Sequence, residues 1–188
     1  MEANFWSYYN YGNHSTLTDN PTVAYRTLLN DDKRGYCLIF DQRLAPFVLN
    51  AHFMPNGLVN PTHPTKEPCQ IFDSSFCPTP AGYAINDWTP KHTEPPLYFG
   101  ESMGKYLSYL YNLRATYPYE EIFLGDNDIS GAFRHQKYHP NVVAMHCFKM
   151  DEYFVVATGT TFGDGPSPSN FEPIAWAHLD ICATSPIR

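Results

Sequence analysis

The chain has 188 residues and a formal net charge of −7, and 43% of its residues are hydrophobic against 16% charged. This balance excludes an intrinsically disordered chain, because there is enough apolar side chain to build a core. The negative charge argues against a protein that holds nucleic acid by net charge alone, but it is compatible with a local basic groove. No apolar run approaches the ~18 residues that a membrane-spanning helix needs, and the first residues lack the pattern of a signal peptide.

Aromatic residues, proline and cysteine are distributed in an informative way. The chain contains 14 Tyr, 13 Phe, 3 Trp and 17 Pro, which together predict a globular protein with long, stiff, aromatic-lined loops. The five cysteines are scattered, odd in number and never spaced as a CxxC pair. Free thiols in a reducing compartment are therefore expected, which places the chain inside the cell, in the cytoplasm or the nucleus.

The first hundred residues alternate between short apolar runs and loops. Residues 1–35 crowd Asn and Tyr together and are predicted to be an irregular N-terminal extension. Residues 36–40 predict a short buried strand, and 69–73 predict a second one. Between them, 60–68 hold three prolines and predict a loop, as do the prolines spread over 78–96.

A helix is predicted over 103–113. Its apolar residues recur at steps of three and four, which is typical of a stripe buried against a core, and Pro118 ends the pattern. The stripe consists of Met103, Tyr106, Leu107, Leu110, Tyr111 and Leu113.

The last third of the chain predicts strands followed by a helix. Residues 121–125 predict a strand, and two further short strands are expected between 148 and 158, around a tight turn at 151–152. The last helix is predicted to begin near Ser167, which can cap it, with Pro168 in the first helical position. Its apolar face would contain Phe171, Ile174, Ala175 and Leu179. The fold class is therefore α+β, with a small antiparallel sheet, packed helices and long Pro-rich loops.

The stretch 122–134 carries the first chemical signal. A hydrophobic strand ends in acids, and Ala132-Phe133 follows Asp128 by four residues. Phosphoryl transfer from a nucleoside triphosphate needs carboxylates that hold two metal ions, and the end of a rigid strand can place one accurately. The small Gly131 and Ala132 would let a sugar approach the backbone above the ring of Phe133. Taken alone, the pattern is better explained by a strand, an acidic turn and a core phenylalanine.

The stretch 162–172 carries the second signal. Phe162-Gly163 opens a Gly-rich turn, and Ser167-Pro168 then begins a helix. Glycine permits close approach to the backbone, and a helix N-terminus favours anions. Taken alone, the stretch also fits an ordinary loop with a good helix cap.

Taken together, these motifs resemble those of reverse transcriptases, most closely the enzymes of retroelements. The resemblance covers residues 55–177 in order and spacing. The counterparts of the first two palm motifs are, in chain order, Asp128-x-x-x-Ala132-Phe133, His139-Pro140, a strand pair and Phe162-Gly163-x-x-x-Ser167-Pro168-x-x-Phe171. The fingers look like Pro55-Asn56-Gly57-Leu58-Val59, Lys66, Ile71-Phe72-Asp73-x-Ser75 and Ile85-Asn86-Asp87.

The resemblance implies a fold and an activity. Residues 36–118 would form a fingers-like region, and 119–188 would form a partial palm with the first two palm motifs. The activity would be RNA-directed DNA polymerisation, in which a deoxynucleoside triphosphate is added to a primer 3′-hydroxyl on a template. Mg²⁺, with Mn²⁺ as its alternative, would be the cofactor, and the primer–template and the deoxynucleotide would be the partners. No membrane partner is implied, and the oligomeric state is left open.

The resemblance also implies a role for each site residue. Asp128 would be the catalytic carboxylate and a metal ligand, and the carbonyl of Ile129 would be a further ligand. Asp126 is a rival acid that would point the same way if the strand continues. Ala132 and Phe133 would bind the nucleotide, and the ring of Phe133 would exclude a ribose 2′-hydroxyl. Phe162 and Gly163 would lie against the nucleotide and the template, supported by a helix that Ser167 and Pro168 fix. Lys66 would lie near the triphosphate.

Two departures from the family pattern weaken the expectation of catalysis. Cys69 stands where the family usually has an arginine for the triphosphate, and Lys66 is either its replacement or a solvated loop residue. No aromatic-x-Asp-Asp motif follows Phe171, and Asp31-Asp32 comes too early in the chain. The chain is therefore expected to be inactive alone, as a truncated gene product or part of a longer polyprotein. The alternatives are a non-catalytic remnant that binds nucleic acid or protein, and an unrelated α+β domain whose aromatic loops contact other proteins.

Two weaker signals lie beside the first palm motif. His135, His139 and His146 could suggest a metal site, but their spacing matches no known ligand pattern, so solvated or core histidines are favoured. Arg134, His135 and Lys137 form a small basic patch that could contact a nucleic-acid backbone.

Overall fold

The computed structural model of the chain describes residues 2–60, 62–66, 68–80, 82–89, 101–123 and 129–184. The chain divides into two compact units. The larger unit combines Met1–Glu94 with Gly131–Arg188, and the smaller one is Pro95–Ser130. Among the described helices, none combines the length and apolar character that crossing a membrane would require.

The N-terminal segment is helical, so the prediction of an irregular extension is wrong. It contains α1 (Glu2–Tyr11), α2 (Ser15–Thr18) and α3 (Pro21–Lys33). Pro21 suits the first turn of α3, because amides in a first turn have no acceptor within the helix and the missing N–H group of proline is not needed there. Ala24 and Leu28, one turn apart, are buried in the core. These helices are stabilised by the packing of a few buried side chains. Because many of their residues are polar, the sequence shows no clear helical pattern.

The main sheet contains three antiparallel strands in the order β1-β5-β4. These are β1 (Cys37–Asp41), β4 (Cys147–Met150) and β5 (Tyr153–Ala157). Asp151 adopts a φ of 48° in the turn between β4 and β5, a left-handed conformation that Asp tolerates better than most residues. The three strand predictions in these regions and the α+β class with a small antiparallel sheet are confirmed.

Both faces of the central strand, β5, are buried. Along β5, Val155 and Ala157 belong to one hydrophobic cluster, which also contains side chains of α2 and α3. Phe154 and Val156 belong to a second cluster, with side chains of α1. Because successive side chains of a strand point to opposite faces, the unbroken apolar run of β5 is explained by cover on both sides.

A second sheet is the hairpin of β2 (Asn56–Val59) and β3 (Cys69–Phe72). The predicted strand at 69–73 is therefore confirmed, one residue shorter. The segment before β2 joins the main sheet, because the amide of Met54 donates to the carbonyl of Cys147 at 2.9 Å. The amide of Cys147 in turn donates to the carbonyl of His52 at 3.0 Å.

The helix predicted over 103–113 is present as α5 (Ser102–Thr116), but the prediction that its stripe is buried is wrong. Met103, Tyr106, Leu107 and Tyr111 are exposed. In the described part of the smaller unit, α5 is the only helix and there is no strand, so the stripe has no second element there to cover it. Residues 121–123 form no strand, and the rest of the strand predicted at 121–125 lies outside the described residues.

The remaining described elements are two helices and three short 3-10 turns. They are α4 (Ile85–Trp88), α6 (Ser167–Thr184) and short 3-10 turns at Gln42–Phe47, Ala132–His135 and Val143–Met145. Cys37, Cys69, Cys77 and Cys147 form no disulfide, as the odd and scattered cysteine pattern predicted. The division into fingers-like (36–118) and palm-like (119–188) regions stays a prediction.

Candidate functional site

The predicted metal carboxylate has no described position. Asp128 and its rival Asp126 fall within 124–128, outside the described residues, and Ile129 beside them is half-buried. Among the residues that the structure describes, no three His, Cys, Asp or Glu side chains converge to hold a metal ion. Mg²⁺ or Mn²⁺ binding therefore stays a prediction.

Strand β3 meets the loop that contains the second palm-like motif. The amide of Phe72, the last residue of β3, donates to the carbonyl of Phe162 at 2.8 Å. Gly163 follows with a φ of 108°, and a Cβ on it would overlap the carbonyl oxygen of Phe72. Only glycine fits here, because both the backbone angle and the available space exclude a side chain.

The side chain of Asn86 also forms hydrogen bonds with this loop. Its Nδ2 donates to the carbonyl of Gly163 at 3.0 Å and to the hydroxyl of Ser75 at 2.8 Å. Its Oδ1 accepts the amide of Gly165 at 2.8 Å. One side chain thus satisfies three polar groups and holds the loop against the segment after β3.

Phe133 completes the arrangement with an aromatic contact. Its ring centroid lies 5.0 Å from that of Phe162 and 5.7 Å from that of Phe171 in α6. Phe162 is 47% exposed, whereas Phe133 and Ala132 beside it are half-buried. We call this arrangement the glycine-loop junction: Phe72, Asn86, Phe133 and residues 162–165.

Ser167 and α6 support the loop differently from the prediction. Ser167 is the first helical residue and is buried, and its hydroxyl donates to the carbonyl of Thr161 at 3.0 Å instead of capping the helix. Pro168 is half-buried. Ile174 is exposed, so its predicted packing is wrong, and the described aromatic contact of α6 with the junction is made by Phe171.

The two residues predicted near the triphosphate lie at the hairpin. Lys66 is exposed in the loop between β2 and β3, where its amide donates to Nδ1 of His63 at 3.1 Å. Cys69 is the first residue of β3 and is also exposed. The replacement by Lys66 of the arginine that reverse transcriptases usually have stays a prediction.

The predicted basic patch is wrong for Arg134. Arg134 is buried and ion-paired with Asp31 of α3, and its guanidinium lies 5.0 Å from the ring centroid of Phe72. The ammonium of Lys137 donates to the carbonyl of Gly35 at 2.8 Å and to the hydroxyl of Thr158 at 3.2 Å. Lys137 is nevertheless exposed, so its part in the basic patch stays a prediction. The Arg134–Asp31 pair spans 103 residues, so no local sequence signal could have revealed it.

A buried polar cluster includes Asp164 of the same loop. The hydroxyl of Tyr138 donates to Oδ2 of Asp164 at 2.8 Å, and Nε2 of His146 lies 3.8 Å from the same oxygen. The rings of Tyr138 and His146 are stacked with centroids 3.7 Å apart. Burial raises the pKa of Asp164 and lowers the pKa of His146 to about 4. His146 is therefore a core histidine, whereas His135 and His139 are exposed.

No protein-family model, curated protein or solved structure matches this chain. The resemblance to reverse transcriptases therefore rests on the motifs in the sequence.

The steric constraint at Gly163 predicts a large cost for the smallest substitution. Gly163→Ala should lower the free energy of unfolding by about 1–3 kcal/mol or more, because the methyl group must displace the backbone of Phe72. Gly104→Ala in α5 is the matched control, since a Cβ there meets nothing within 4 Å. The control should be neutral or stabilising by up to about 1 kcal/mol. Urea denaturation measures both, and equal effects would show that the loop does not approach β3.

The buried cluster predicts a dependence of stability on pH. A histidine whose pKa falls from 6.5 to about 4 on folding stabilises the folded state above pH 6.5, and this contribution is lost as the pH falls towards 4. Asp164 acts oppositely, because its raised pKa makes ionisation above 3.8 costly in the folded state. Burial also lowers the pKa of His52 to about 4, so His52 adds to the decline in stability that His146 causes as the pH falls.

We therefore expect His146→Asn to flatten the decline in the free energy of unfolding between pH 6.5 and 4, and Asp164→Asn to steepen it. Denaturation series at several pH values would measure both slopes. A slope that neither variant changes would contradict the assignment.

Proposed function

We propose that the chain is the fingers and the first part of the palm of a polymerase of the reverse-transcriptase type. In this proposal the glycine-loop junction receives the deoxynucleotide at the end of a primer–template. The observation that carries the proposal is the meeting of separate motifs at this junction. Asn86 from the fingers-like stretch and Gly163 from the palm-like stretch are 77 residues apart and joined by a hydrogen bond. Phe72 and Phe133, from two more of the motifs, contact the same loop.

The exposed side of the junction has the chemistry that a nucleotide would need. Phe162 offers a ring that is about half exposed, and Gly163 beside it is also exposed. Base and sugar rings stack on such aromatic faces whatever the sequence of the nucleic acid. Phe133 is held against Phe162 and Phe171, so its ring has little freedom to move away from a ribose 2′-hydroxyl. This supports selection of deoxynucleotides over ribonucleotides.

Metal chemistry in this proposal rests with Asp128 and the carbonyl of Ile129. The described residues supply no set of three metal ligands, so they do not by themselves fit a two-metal site. The junction itself contributes ring stacking.

A non-catalytic binding module is the second candidate. Two observations favour it: the net charge of −7, and the exposed Cys69 at the position where reverse transcriptases usually have an arginine. Such a module would bind a primer–template or a protein without a requirement for the matching nucleotide.

The two candidates differ in nucleotide-dependent binding. Fluorescence anisotropy of a labelled RNA–DNA primer–template should show tighter binding when the next complementary deoxynucleotide is present. Phe162→Ala should weaken this nucleotide-dependent binding by about 1–3 kcal/mol, and Phe133→Ala should reduce the preference for deoxynucleotide over ribonucleotide. Phe47→Ala, at a phenylalanine that is 82% exposed, is the matched control. Binding that ignores the nucleotide would support the non-catalytic module.

Catalysis is tested separately by primer extension with Mg²⁺ and with Mn²⁺. We expect no measurable extension by these 188 residues, because a single carboxylate motif cannot hold two divalent ions against a triphosphate. In a chain that also carries an aromatic-x-Asp-Asp motif after Arg188, extension should appear, and Asp128→Asn should abolish it. Robust extension by the 188 residues would reveal a second acidic site, and extension that survives Asp128→Asn would remove Asp128 from the mechanism.

A further inference from the structure

A cavity of about 380 Å³ lies in the larger unit, between α1, residues 50–53 and Trp88. None of its lining residues belongs to the glycine-loop junction. Sites for small organic molecules usually start at about 300 Å³, and a cavity of about 150 Å³ already holds benzene. The cavity is therefore large enough for a molecule of two fused rings.

The walls of the cavity are aromatic and held in place. The hydroxyl of Tyr8 donates to the carbonyl of Tyr83 at 2.7 Å and accepts the amide of the same residue at 3.0 Å. The ring of Phe5 contacts that of Phe53 edge-on, with centroids 5.5 Å apart. Trp88 is 61% exposed and lies at the border with a second cleft. A wall that is already ordered costs little conformational entropy when a ring binds against it.

His52 supplies the cavity with a polar group that is not used elsewhere. Its ring lies 4.3 Å from that of Tyr8, and neither ring nitrogen has a hydrogen-bond partner among the described residues. Burial lowers the pKa of His52 to about 4, so the imidazole is neutral at pH 7 and presents one donor and one acceptor. No Asp, Glu, Lys or Arg is among the described residues that line the cavity. A charged ligand would therefore lose its hydration without gaining an ion pair.

We propose that this cavity binds a neutral, planar, bicyclic aromatic compound of the indole type, with the ring N–H of the ligand hydrogen-bonded to His52. The aromatic walls supply area and shape, and His52 supplies the orientation. This site is independent of the proposed nucleotide site.

The test uses indole, its carbon isostere indene, which lacks the N–H group, and the anion indole-3-carboxylate. Calorimetric titration of the unmodified chain should show saturable binding that is tightest for indole. A hydrogen bond to His52 corresponds to a preference of about 2–10-fold for indole over indene. His52→Phe keeps an aromatic ring and should abolish that preference. Trp88→Ala removes an exposed wall residue and should weaken both neutral ligands.

The matched control is Trp176→Ala, since Trp176 is also exposed and lies outside the cavity lining. It should leave all three affinities unchanged. Circular dichroism of each variant confirms that it is folded. Absence of saturable indole binding would overturn the proposal. Indole binding that is equal in the unmodified chain, His52→Phe and Trp88→Ala, or a preference for the carboxylate, would also overturn it.

Discussion

The backbone hydrogen bond between Phe72 and Phe162 is the contact on which the arrangement of the motifs depends. Strand β3 pairs with β2 on one edge, and its other edge would present unpaired backbone groups. The carbonyl of Phe162 fills one of these positions, and the absence of a side chain at Gly163 allows the two backbones to come this close. Asn86 then occupies the space beside them with three hydrogen bonds. A loop without regular structure is thereby held by a backbone hydrogen bond to β3 and by side-chain hydrogen bonds to Asn86.

Two further polar pairs connect segments of this region. The Arg134–Asp31 pair connects the first palm-like motif to α3, with the guanidinium over the ring of Phe72. The Tyr138–Asp164 hydrogen bond connects the loop to the segment after that motif. Buried polar groups are costly unless they are paired, so each pair favours one relative position of the segments it joins. The position of the exposed Phe162 ring follows from these constraints.

The sequence was a good guide where structure is local. Apolar runs predicted β1, β3 and the β4–β5 pair, and the Ser-Pro pair predicted the start of α6, because a strand period or a helix start is visible within a few residues. The N-terminal helices escaped detection, since α1 and α3 depend on a few buried side chains among polar ones. For α5 the helical periodicity correctly predicted a helix, but the predicted burial of its apolar stripe was wrong. Periodicity within one segment does not show whether another element packs against it.

The candidate site was predictable in part. Phe133, Phe162, Gly163 and Asn86 were found through the order of the motifs, but their contacts were not. The Arg134–Asp31 pair and the Asp164 cluster had no local signal, because their partners are remote in sequence. His52 was also missed, since a lone histidine becomes informative only when its surroundings are aromatic and its nitrogens are unused.

Hydrogen–deuterium exchange resolved to single amides tests most directly whether β3 and the loop form one unit. In the unmodified chain, the amides of Phe72 and Gly165 should both exchange slowly, because each donates to a described acceptor. Asn86→Ala should accelerate exchange at Gly165 and, to a smaller extent, at Phe72, while the amides of β5 keep their protection. Rapid exchange at Phe72 in the unmodified chain would contradict the account, as would an Asn86→Ala variant that leaves Gly165 protected.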